Sequence, residues 1–274
     1  MRIAVAQMRS GIDPKANAAA LEEVIDEAAM GHATMLFTPE MTGLLDRDRA
    51  RAAGAIFRED ADPVLARGRA AAAEHGIWLT IGSLALDDGE GRWVNRAFVI
   101  DNNGAIVARY DKMHMFDVDL ASGESWRESN AYAAGEKVVT AQTPLGTLGL
   151  TICYDIRFPA MFEALGAVPC DVIAIPAAFT VPTGKAHWHV LQRARAIEAS
   201  AFVVAAAQVG KHEDGRQTYG HSLVVDPWGE VLLDLGGDQR GVGVVDLDLD
   251  RIAAVRAQVP SLANRRSVAR EARP

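Results

Sequence analysis

The stretch Gly149-Leu150-Thr151-Ile152-Cys153-Tyr154-Asp155-Ile156-Arg157-Phe158-Pro159 is the part of this chain that best defines its fold. Its apolar first half predicts a buried strand, and Pro159 is typical of the first turn of a helix. A cysteine at a sharp strand-to-helix turn projects from the edge of a sheet, and the N–H groups after it face the same space. Cys153 is therefore a candidate nucleophile, and Arg157, four residues later, indicates an anionic ligand.

Two more polar residues stand just past predicted strands. Glu40 ends the run Thr34-Met35-Leu36-Phe37-Thr38-Pro39-Glu40, and Lys112 lies in Arg109-Tyr110-Asp111-Lys112-Met113-His114. A carboxylate that moves protons, an ammonium that holds an oxyanion and a thiol that attacks are the groups that covalent acyl transfer requires. Taken singly, each has a simpler interpretation as a buried Cys, a surface Glu or a surface Lys. Convergence of the three in one pocket would indicate a hydrolase.

Composition excludes several classes of protein. The chain has 274 residues, 49% of them hydrophobic, and a formal net charge of -8. That balance argues against nonspecific nucleic-acid binding, which needs a basic surface. Two cysteines, Cys153 and Cys170, are too few for a disulfide scaffold, and the first residues are too short and interrupted for a signal peptide. No apolar run reaches transmembrane length, so we expect a cytoplasmic protein with no nucleic-acid or membrane partner.

Strands and helices alternate along the chain without a linker or an internal repeat, which predicts one domain over residues 1–274. Strands are predicted at residues 3–7, 34–38, 77–86, 94–100, 105–110, 138–141, 146–153, 171–175, 202–207, 222–225, 231–235 and 242–247. Helices are predicted from Asp13-Pro14 and at residues 62–74, 159–165, 187–200 and 249–258. Hairpins mixed with crossover helices predict an α/β fold with mixed sheets. Many of the strands carry apolar residues on both faces, which favours sheets that are covered on both sides.

Two segments are harder to interpret. The helix predicted at residues 187–200 carries Val190, Leu191, Ala194 and Ile197 on one apolar face. Residues 113–135 look irregular, and loops of that length are usually functional or disordered. Glu128 lies in this loop, and composition alone predicts a solvated side chain there.

The histidines allow two other kinds of site. His114, His187, His189 and His221 suggest a metal hypothesis, but His187 and His189 are two residues apart and point to different sides of a helix. Since HExxH and CxxC motifs are also absent, we expect no metal. A Cys–His protease dyad with His187 or His221 as base stays open, although local protease signatures are missing.

Together, these segments resemble the nitrilase, or carbon–nitrogen hydrolase, superfamily over essentially the whole chain. The matching segments are Phe37-Thr38-Pro39-Glu40, Tyr110-Asp111-Lys112-Met113-His114 and the opening stretch at residues 149–159. One such segment is a weak signal, whereas three in the right order are a strong one. The resemblance implies a four-layer αββα sandwich with mixed sheets, assembled as a homodimer or a higher homo-oligomer. It implies no metal and no organic cofactor.

The resemblance also implies roles for individual residues. Cys153 is the nucleophile, Glu40 the general base and acid, and Lys112 the oxyanion stabiliser, assisted by the N–H of Tyr154. Glu128 matches a second glutamate that supports the triad in many members. The implied reaction is hydrolysis of an amide through a thioester on the cysteine.

Within the superfamily, the chain is most similar to the branch of amidases that act on deaminated glutathione and, as omega-amidases, on keto-acid amides. The runs Ala205-Ala206-Ala207-Gln208 and Tyr219-Gly220-His221-Ser222 favour deaminated glutathione. Arg157, Phe179 and Thr183 match positions that contact the substrate carboxylate in that branch, and Tyr154 completes the implied substrate-binding set. The implied partner is therefore a small amide that carries a carboxylate.

Alternatives stay open at this point. Lys185 and His189 replace the Pro and Glu usual in the branch, which leaves the exact substrate undecided. An omega-amidase acting on α-ketoglutaramate-like compounds, and a nitrilase or carbamoylase with the same triad, are the enzymatic alternatives. A nitrilase usually carries an acidic or Trp-containing segment after the Cys, where this chain has Tyr154 to Phe158. An inactive scaffold on the same fold is disfavoured by the intact triad.

Overall fold

The computed structural model describes residues 1–121, 123 and 125–268. The predicted domain over residues 1–274 therefore has residues 269–274 outside the described part. No helix within the described ranges combines the length and the apolar character that a membrane crossing requires.

Two mixed sheets form the centre of the structure. The eight-stranded sheet runs in the order Gly241–Asp246, Arg2–Gln7, Met35–Phe37, Trp78–Asp87, Trp93–Ile100 and Ile106–Asp111, with Phe57–Arg58 and Tyr132–Ala133 paired beside this path. The six-stranded sheet runs in the order Val139–Thr143, Gly146–Leu150, Val172–Ala174, Phe202–Ala205, Leu223–Val225 and Val231–Asp234. Three neighbouring strands in each sheet are parallel, and the flanking strands are antiparallel. Parallel neighbours bring their carboxyl ends to one edge of each sheet, which is where ligand sites of α/β folds lie.

The helices flank these sheets. They are Pro14–Met30, Arg49–Ala52, Pro63–His75, Pro159–Ala167, Val181–Ala199 and Asp250–Gln258, with 3-10 turns at Glu59–Ala61, Glu128–Asn130 and Cys153–Arg157. The helix starts predicted at Asp13 and Asp62 are confirmed, since their carboxylates accept the N–H of Lys15 at 2.9 Å and of Leu65 at 2.7 Å. Gly76 ends the second of these helices in the left-handed conformation, with φ of 63°.

Alternating side chains divide the core into layers. In the first strand, Ile3 and Val5 face the six-stranded sheet, whereas Ala4 and Ala6 face the helices Pro14–Met30 and Pro63–His75. The outer face of the six-stranded sheet is covered by Pro159–Ala167 and Val181–Ala199, which contribute buried residues to the same core as both sheets: Met161, Phe162, Leu165, Trp188 and Ala196. The order helix, sheet, sheet, helix confirms the predicted αββα sandwich.

The helix predicted at residues 187–200 differs from expectation. It begins at Val181, because Pro182 suits a first helical turn. Its predicted apolar face does not point to the core, since Val190 is 68% exposed and Ile197 is 50% exposed. The inward face instead carries Trp188, Gln192, Arg195, Ala196 and Ala199. Apolar residues therefore line the outside of this helix.

The segment predicted as irregular, residues 113–135, has some regular structure. It contains the two-stranded hairpin Asp117–Asp119 with Ser125–Arg127, and the strand Tyr132–Ala133. A second small hairpin pairs Val209–Lys211 with Gln217–Tyr219. Both hairpins reach the rim of the cavity described below, so they add walls beyond the two sheets.

A bulge in the strand Trp78–Asp87 supports the turn that follows Met35–Phe37. The register against Trp93–Ile100 shifts between Ile81 and Leu84, and Gly82 lies in the shift. The Gly82 N–H donates to the Thr38 hydroxyl at 3.1 Å. A Cβ on Gly82 would lie 2.1 Å from the Thr38 carbonyl oxygen and 2.5 Å from the Pro176 Cβ of the other sheet. Glycine is required here because the two sheets approach each other so closely.

Gly82→Ala tests this constraint. We expect the free energy of unfolding to fall by about 1–3 kcal/mol, because the new methyl group overpacks a site walled by backbone. Urea denaturation measures the change. The matched control is Gly241→Ala, at a strand position with no atom within 4 Å of the added Cβ, which should shift stability by less than about 0.5 kcal/mol. Equal effects in the two variants would contradict the proposed close approach.

Candidate active site

A buried lysine lies between two carboxylates where the strands end. The Lys112 side chain is 2% exposed and follows the strand Ile106–Asp111. Its Nζ donates to Glu40 Oε1 at 2.8 Å, to Glu128 Oε2 at 2.9 Å and to Glu128 Oε1 at 3.1 Å. Three of the residues singled out in the sequence therefore form one ion cluster.

Asn95 joins the same cluster and was missed by the sequence analysis. Its Nδ2 donates to Glu40 Oε1 at 2.9 Å and to Glu128 Oε1 at 3.1 Å, and its side chain is fully buried. The Asn95 backbone carbonyl accepts the Lys112 backbone N–H at 2.9 Å, which connects the lysine to the neighbouring strand. The available signal was a polar amide within the strand Trp93–Ile100, whose positions are otherwise largely apolar.

Backbone N–H groups also donate to the two carboxylates. Ala178 N donates to Glu40 Oε2 at 2.9 Å, and Phe116 N donates to Glu128 Oε2 at 2.7 Å. The Glu128 side chain is only 11% exposed, so the prediction of a solvated residue from composition was wrong. The contacts that bury it come from residues distant in sequence.

Cys153 stands beside this cluster on the six-stranded sheet. The strand ends at Leu150, earlier than predicted, and Cys153 opens the 3-10 turn Cys153–Arg157 with φ of 49°. Its N–H donates to the Pro176 carbonyl at 2.8 Å, and Cys153 lines the same cavity as Glu40 and Lys112. A left-handed φ on a non-glycine residue is costly and needs support from its surroundings. The structure thus brings Cys153 together with Glu40, Lys112 and Glu128.

Asp155 holds the cysteine turn in place. Its fully buried carboxylate accepts the Ile152 N–H at 2.8 Å and the Tyr110 hydroxyl at 2.6 Å. Because Tyr110 lies two residues before Lys112, this hydrogen bond also connects the two sheets. The shared carboxylate therefore sets the cysteine turn against the strand end that carries the lysine.

Burial and mutual attraction set the charges of the cluster. Burial would raise the pKa of Glu40, but the Lys112 ammonium and hydrogen bonds from Lys112, Cys153 and Asn95 leave that pKa below its usual value. Burial would lower the pKa of Lys112, yet Glu128 and Glu40 hold it well above the usual range. Burial, reinforced by Glu40, raises the pKa of the Cys153 thiol well above its usual value. At neutral pH the resting state is a carboxylate, an ammonium and a neutral thiol.

The cluster opens into a cavity of about 520 Å³, within the range of small-molecule sites. Tyr154, Phe179 and Thr183 line this cavity together with the cluster. No described residue accepts a hydrogen bond from the Tyr154 N–H. Arg157 does not line the cavity: its guanidinium carbon lies 5.2 Å from the Phe179 ring centre and 6.0 Å from that of Tyr154.

The histidines lie away from the thiol. None of those described lines the cavity. His187 Nδ1 lies 3.2 Å from an Arg157 nitrogen, and His221 Nδ1 lies 2.9 Å from Asp234 Oδ1, so neither contacts Cys153 as a base would. His189, His221 and Asp234 have ligand atoms within 4.8 Å of one another and could hold a cation, but that cluster is not part of the cavity.

Comparisons with known proteins agree with this architecture. The sequence matches the family described as Carbon-nitrogen hydrolase over residues 2–257. Deaminated glutathione amidase of Dictyostelium discoideum is 37% identical over 267 residues, which cover 94% of this chain and 91% of that protein.

Solved structures give the same result. The crystal structure of the Caenorhabditis elegans NitFhit protein superposes with a TM-score of 0.87 at 36% identity, over 97% of this chain and 65% of that longer chain. A variant of the amidase from Nesterenkonia sp. AN1 has a TM-score of 0.82 at 27% identity, over 97% of this chain and 94% of that chain. In that structure the acetamide moiety of fluoroacetamide is covalently added at the active-site cysteine.

Asn95→Asp tests the charge balance of the cluster. A third carboxylate beside one lysine should lower the free energy of unfolding by about 3 kcal/mol or more at pH 7.5, since it leaves an uncompensated buried charge. The variant's extra carboxyl should have a folded pKa above its unfolded value of about 4. The loss in free energy of unfolding is then complete above the pKa of this carboxyl in the folded protein. It disappears as the pH falls below the pKa of the same carboxyl in the unfolded chain.

Urea denaturation of both proteins from pH 7.5 down to pH 4 measures this difference. Asn102→Asp, in an exposed turn, controls for the added charge. A deficit that stays constant with pH would show that loss of the Nδ2 donors, and not the added charge, destabilises the variant.

Proposed function

This chain belongs to the carbon–nitrogen hydrolase family, and from that membership we propose that it hydrolyses the amide bond of deaminated glutathione, releasing a keto acid and an amine. The observation that carries the proposal is that Cys153, Glu40 and Lys112 line one cavity, with the Lys112 ammonium 2.8 Å from the Glu40 carboxylate. A nucleophile, a proton acceptor and a cation within one cavity are the requirements of acyl transfer. The substrate class follows from relatives named for that activity.

We assign the first step to Cys153 and Glu40. Because the thiol is neutral at rest, its proton passes to the Glu40 carboxylate as Sγ bonds to the amide carbon. The carbonyl oxygen becomes an oxyanion, held by Lys112 and by the N–H of Tyr154. Lys112 Nζ makes three hydrogen bonds at rest, two of them to Glu128, so a donor becomes available to the oxyanion when Lys112 keeps only one of its two bonds to Glu128. A single oxyanion donor contributes about 3 kcal/mol in known acyl-transfer sites.

The second half of the reaction regenerates the thiol. Protonated Glu40 gives its proton to the leaving nitrogen, the C–N bond breaks, and the amine departs from a thioester on Cys153. A water molecule then attacks the thioester carbon while Glu40 takes one of its protons. Collapse of the second tetrahedral intermediate breaks the C–S bond, Glu40 returns the proton to sulfur, and the acid leaves. Glu128 and Asn95 keep Lys112 and Glu40 in position throughout.

The proposed substrate contacts are Tyr154, Phe179 and Thr183, since these residues line the cavity next to the thiol. Arg157 was expected to pair directly with the substrate carboxylate. In the resting geometry it lies behind the Tyr154 and Phe179 rings, so we propose that its charge acts on that carboxylate from behind this wall.

Turnover of two amides separates the proposal from its main alternative. We expect kcat/KM for deaminated glutathione to exceed that for α-ketoglutaramate, with release of the common keto-acid product as the readout. Cys153→Ala should lower kcat on the order of 10⁴-fold or more, whereas Cys170→Ala, at a buried position outside the cavity, should keep it. The opposite preference would assign the chain to the omega-amidases. No turnover of either compound would reject both substrates.

We also propose that the chain forms a homodimer through the outer face of the helix Val181–Ala199. That face and the adjoining edge of the six-stranded sheet expose large hydrophobic residues: Val190, Ile197, Trp228, Val231 and Leu232. Gly229 lies close to the Ile197 side chain, and Arg193 Nε donates to the Gly229 carbonyl at 2.7 Å. The helix and the turn at residues 226–229 therefore form one surface. Contiguous exposed apolar surface marks interaction sites.

Val190→Glu combined with Ile197→Glu should convert the dimer to a monomer, because it buries two charges in the interface. Analytical ultracentrifugation measures the mass. The control is Val107→Glu. Val107 is 46% exposed and lies in the other sheet, so this substitution should leave the mass of the dimer unchanged. A dimer that survives the double substitution would exclude this face.

We also propose a cytoplasmic location, which is supported by the two cysteines, buried and unpaired in the structure. One catalytic domain over residues 1–274 is supported by the family match, which extends through residues 2–257.

A further inference from the structure

The cavity rim has a charge opposite to that of the chain. The whole chain has a formal charge of -8, yet four arginines line this one cavity: Arg47, Arg49, Arg127 and Arg216. Outside the Glu40–Lys112–Glu128 cluster, Asp46 is the acidic residue in the described lining, and it is already paired with Arg51 at 2.6 Å. A cleft lined by one sign of charge concentrates ligands of the opposite sign.

Two of the four arginines already have partners. Arg127 donates to Asp119 at 2.7 Å and to two backbone carbonyls. Arg49 donates to the Arg127 carbonyl oxygen. These contacts hold the hairpin Asp117–Asp119 with Ser125–Arg127 at the rim.

Arg47 and Arg216 do not hold this hairpin by hydrogen bonds, and both keep donors for a ligand. Arg216 uses only Nε, which donates to Asp214 at 2.7 Å, and its guanidinium carbon lies 4.9 Å from the Trp126 ring centre. The Arg47 guanidinium makes no hydrogen bond to any residue that the structure describes, although its backbone N–H donates to Asp214 at 2.9 Å. Asp214 therefore anchors both arginines and leaves most of their N–H groups available.

The geometry places the two side chains on one wall. Gly215, with φ of 87°, lies between Asp214 and Arg216, and a Cβ there would come within 3.4 Å of an Arg47 terminal nitrogen. Both arginines and Gly215 line the cavity. Two guanidinium groups in one cavity lining offer the paired N–H donors by which arginine recognises a carboxylate.

We infer that Arg47, supported by Arg216, binds a carboxylate on the leaving-group side of the substrate. This inference rests on the proposed function. Deaminated glutathione carries one carboxylate on its keto acid and a second on the terminal glycine of the amine that leaves. α-Ketoglutaramate has only the first, since its leaving group is ammonia. Arg47 thus distinguishes an amide whose amine portion is anionic from a primary amide.

Equilibrium binding tests the inference separately from turnover. In the Cys153→Ala protein, calorimetric titration would compare deaminated glutathione with its C-terminal glycinamide, with and without Arg47→Gln. Loss of the carboxylate and loss of the guanidinium should each weaken binding by about 10- to 100-fold. The two losses together should weaken it no further than one of them alone, because both remove the same contact. Additive losses, an unchanged Kd in Arg47→Gln, or no binding of deaminated glutathione would overturn the inference.

Kinetics of the Cys153-containing protein complete the test. Arg47→Gln should raise KM for deaminated glutathione with little change in kcat, and it should leave kcat/KM for α-ketoglutaramate within about twofold. Arg49→Gln is the matched control, since it removes the same charge from the same rim at a guanidinium that already has a partner. Equal losses in both variants that vanish at high salt would indicate general electrostatic steering and would reject the specific contact. Failure of turnover with the binding result intact would reject the proposed function but keep the Arg47 contact.

Discussion

The ammonium group of Lys112, held out of water between Glu40 and Glu128, is the constraint on which the rest of the site depends. A charge that is 2% exposed has lost most of its hydration, and it is stable only if close partners replace the lost water. Two carboxylates and one ammonium leave one net negative charge, so the carboxylates also need donors. Asn95, Ala178 N and Phe116 N supply them. Each of these positions is therefore fixed by the electrostatics of one lysine.

This constraint explains why the site requires both sheets. Lys112, Asn95 and the turn that carries Glu40 belong to the eight-stranded sheet, whereas Cys153 and Ala178 follow strands of the six-stranded sheet. The sheets approach closely at Gly82, and the hydrogen bond between Tyr110 and Asp155 crosses between them. A change in the packing of the sheets would separate the thiol from its carboxylate. The sandwich and the reactive cluster are thus one structural unit.

Local patterns explain what the sequence could predict. Asp13 with Pro14, and Asp62 with Gly76, define helix ends through contacts within a turn or two, so they are readable without the fold. The strand positions were predicted from apolar patterns in the same way, and the three candidate catalytic residues were found because each one follows a strand. Asn95 was missed because its partners Glu40 and Glu128 are 55 and 33 residues away. The outward apolar face of Val181–Ala199 could not be foreseen either, since helical spacing shows that a face exists but not what it contacts.

The charge of the cluster also limits how the thiol can react in the proposed mechanism. Lys112 is paired with two carboxylates, and its attraction for a thiolate is outweighed by burial and by Glu40, which raise the pKa of Cys153. A resting thiolate would add a second net negative charge to a site that has little water to screen it. Proton transfer to Glu40 must therefore accompany bond formation, so that the new charge develops on the substrate oxygen beside Lys112 and Tyr154 N. In the proposed mechanism the thiol therefore stays protonated until a carbonyl group occupies the cavity, and the protonated form is less nucleophilic than a thiolate.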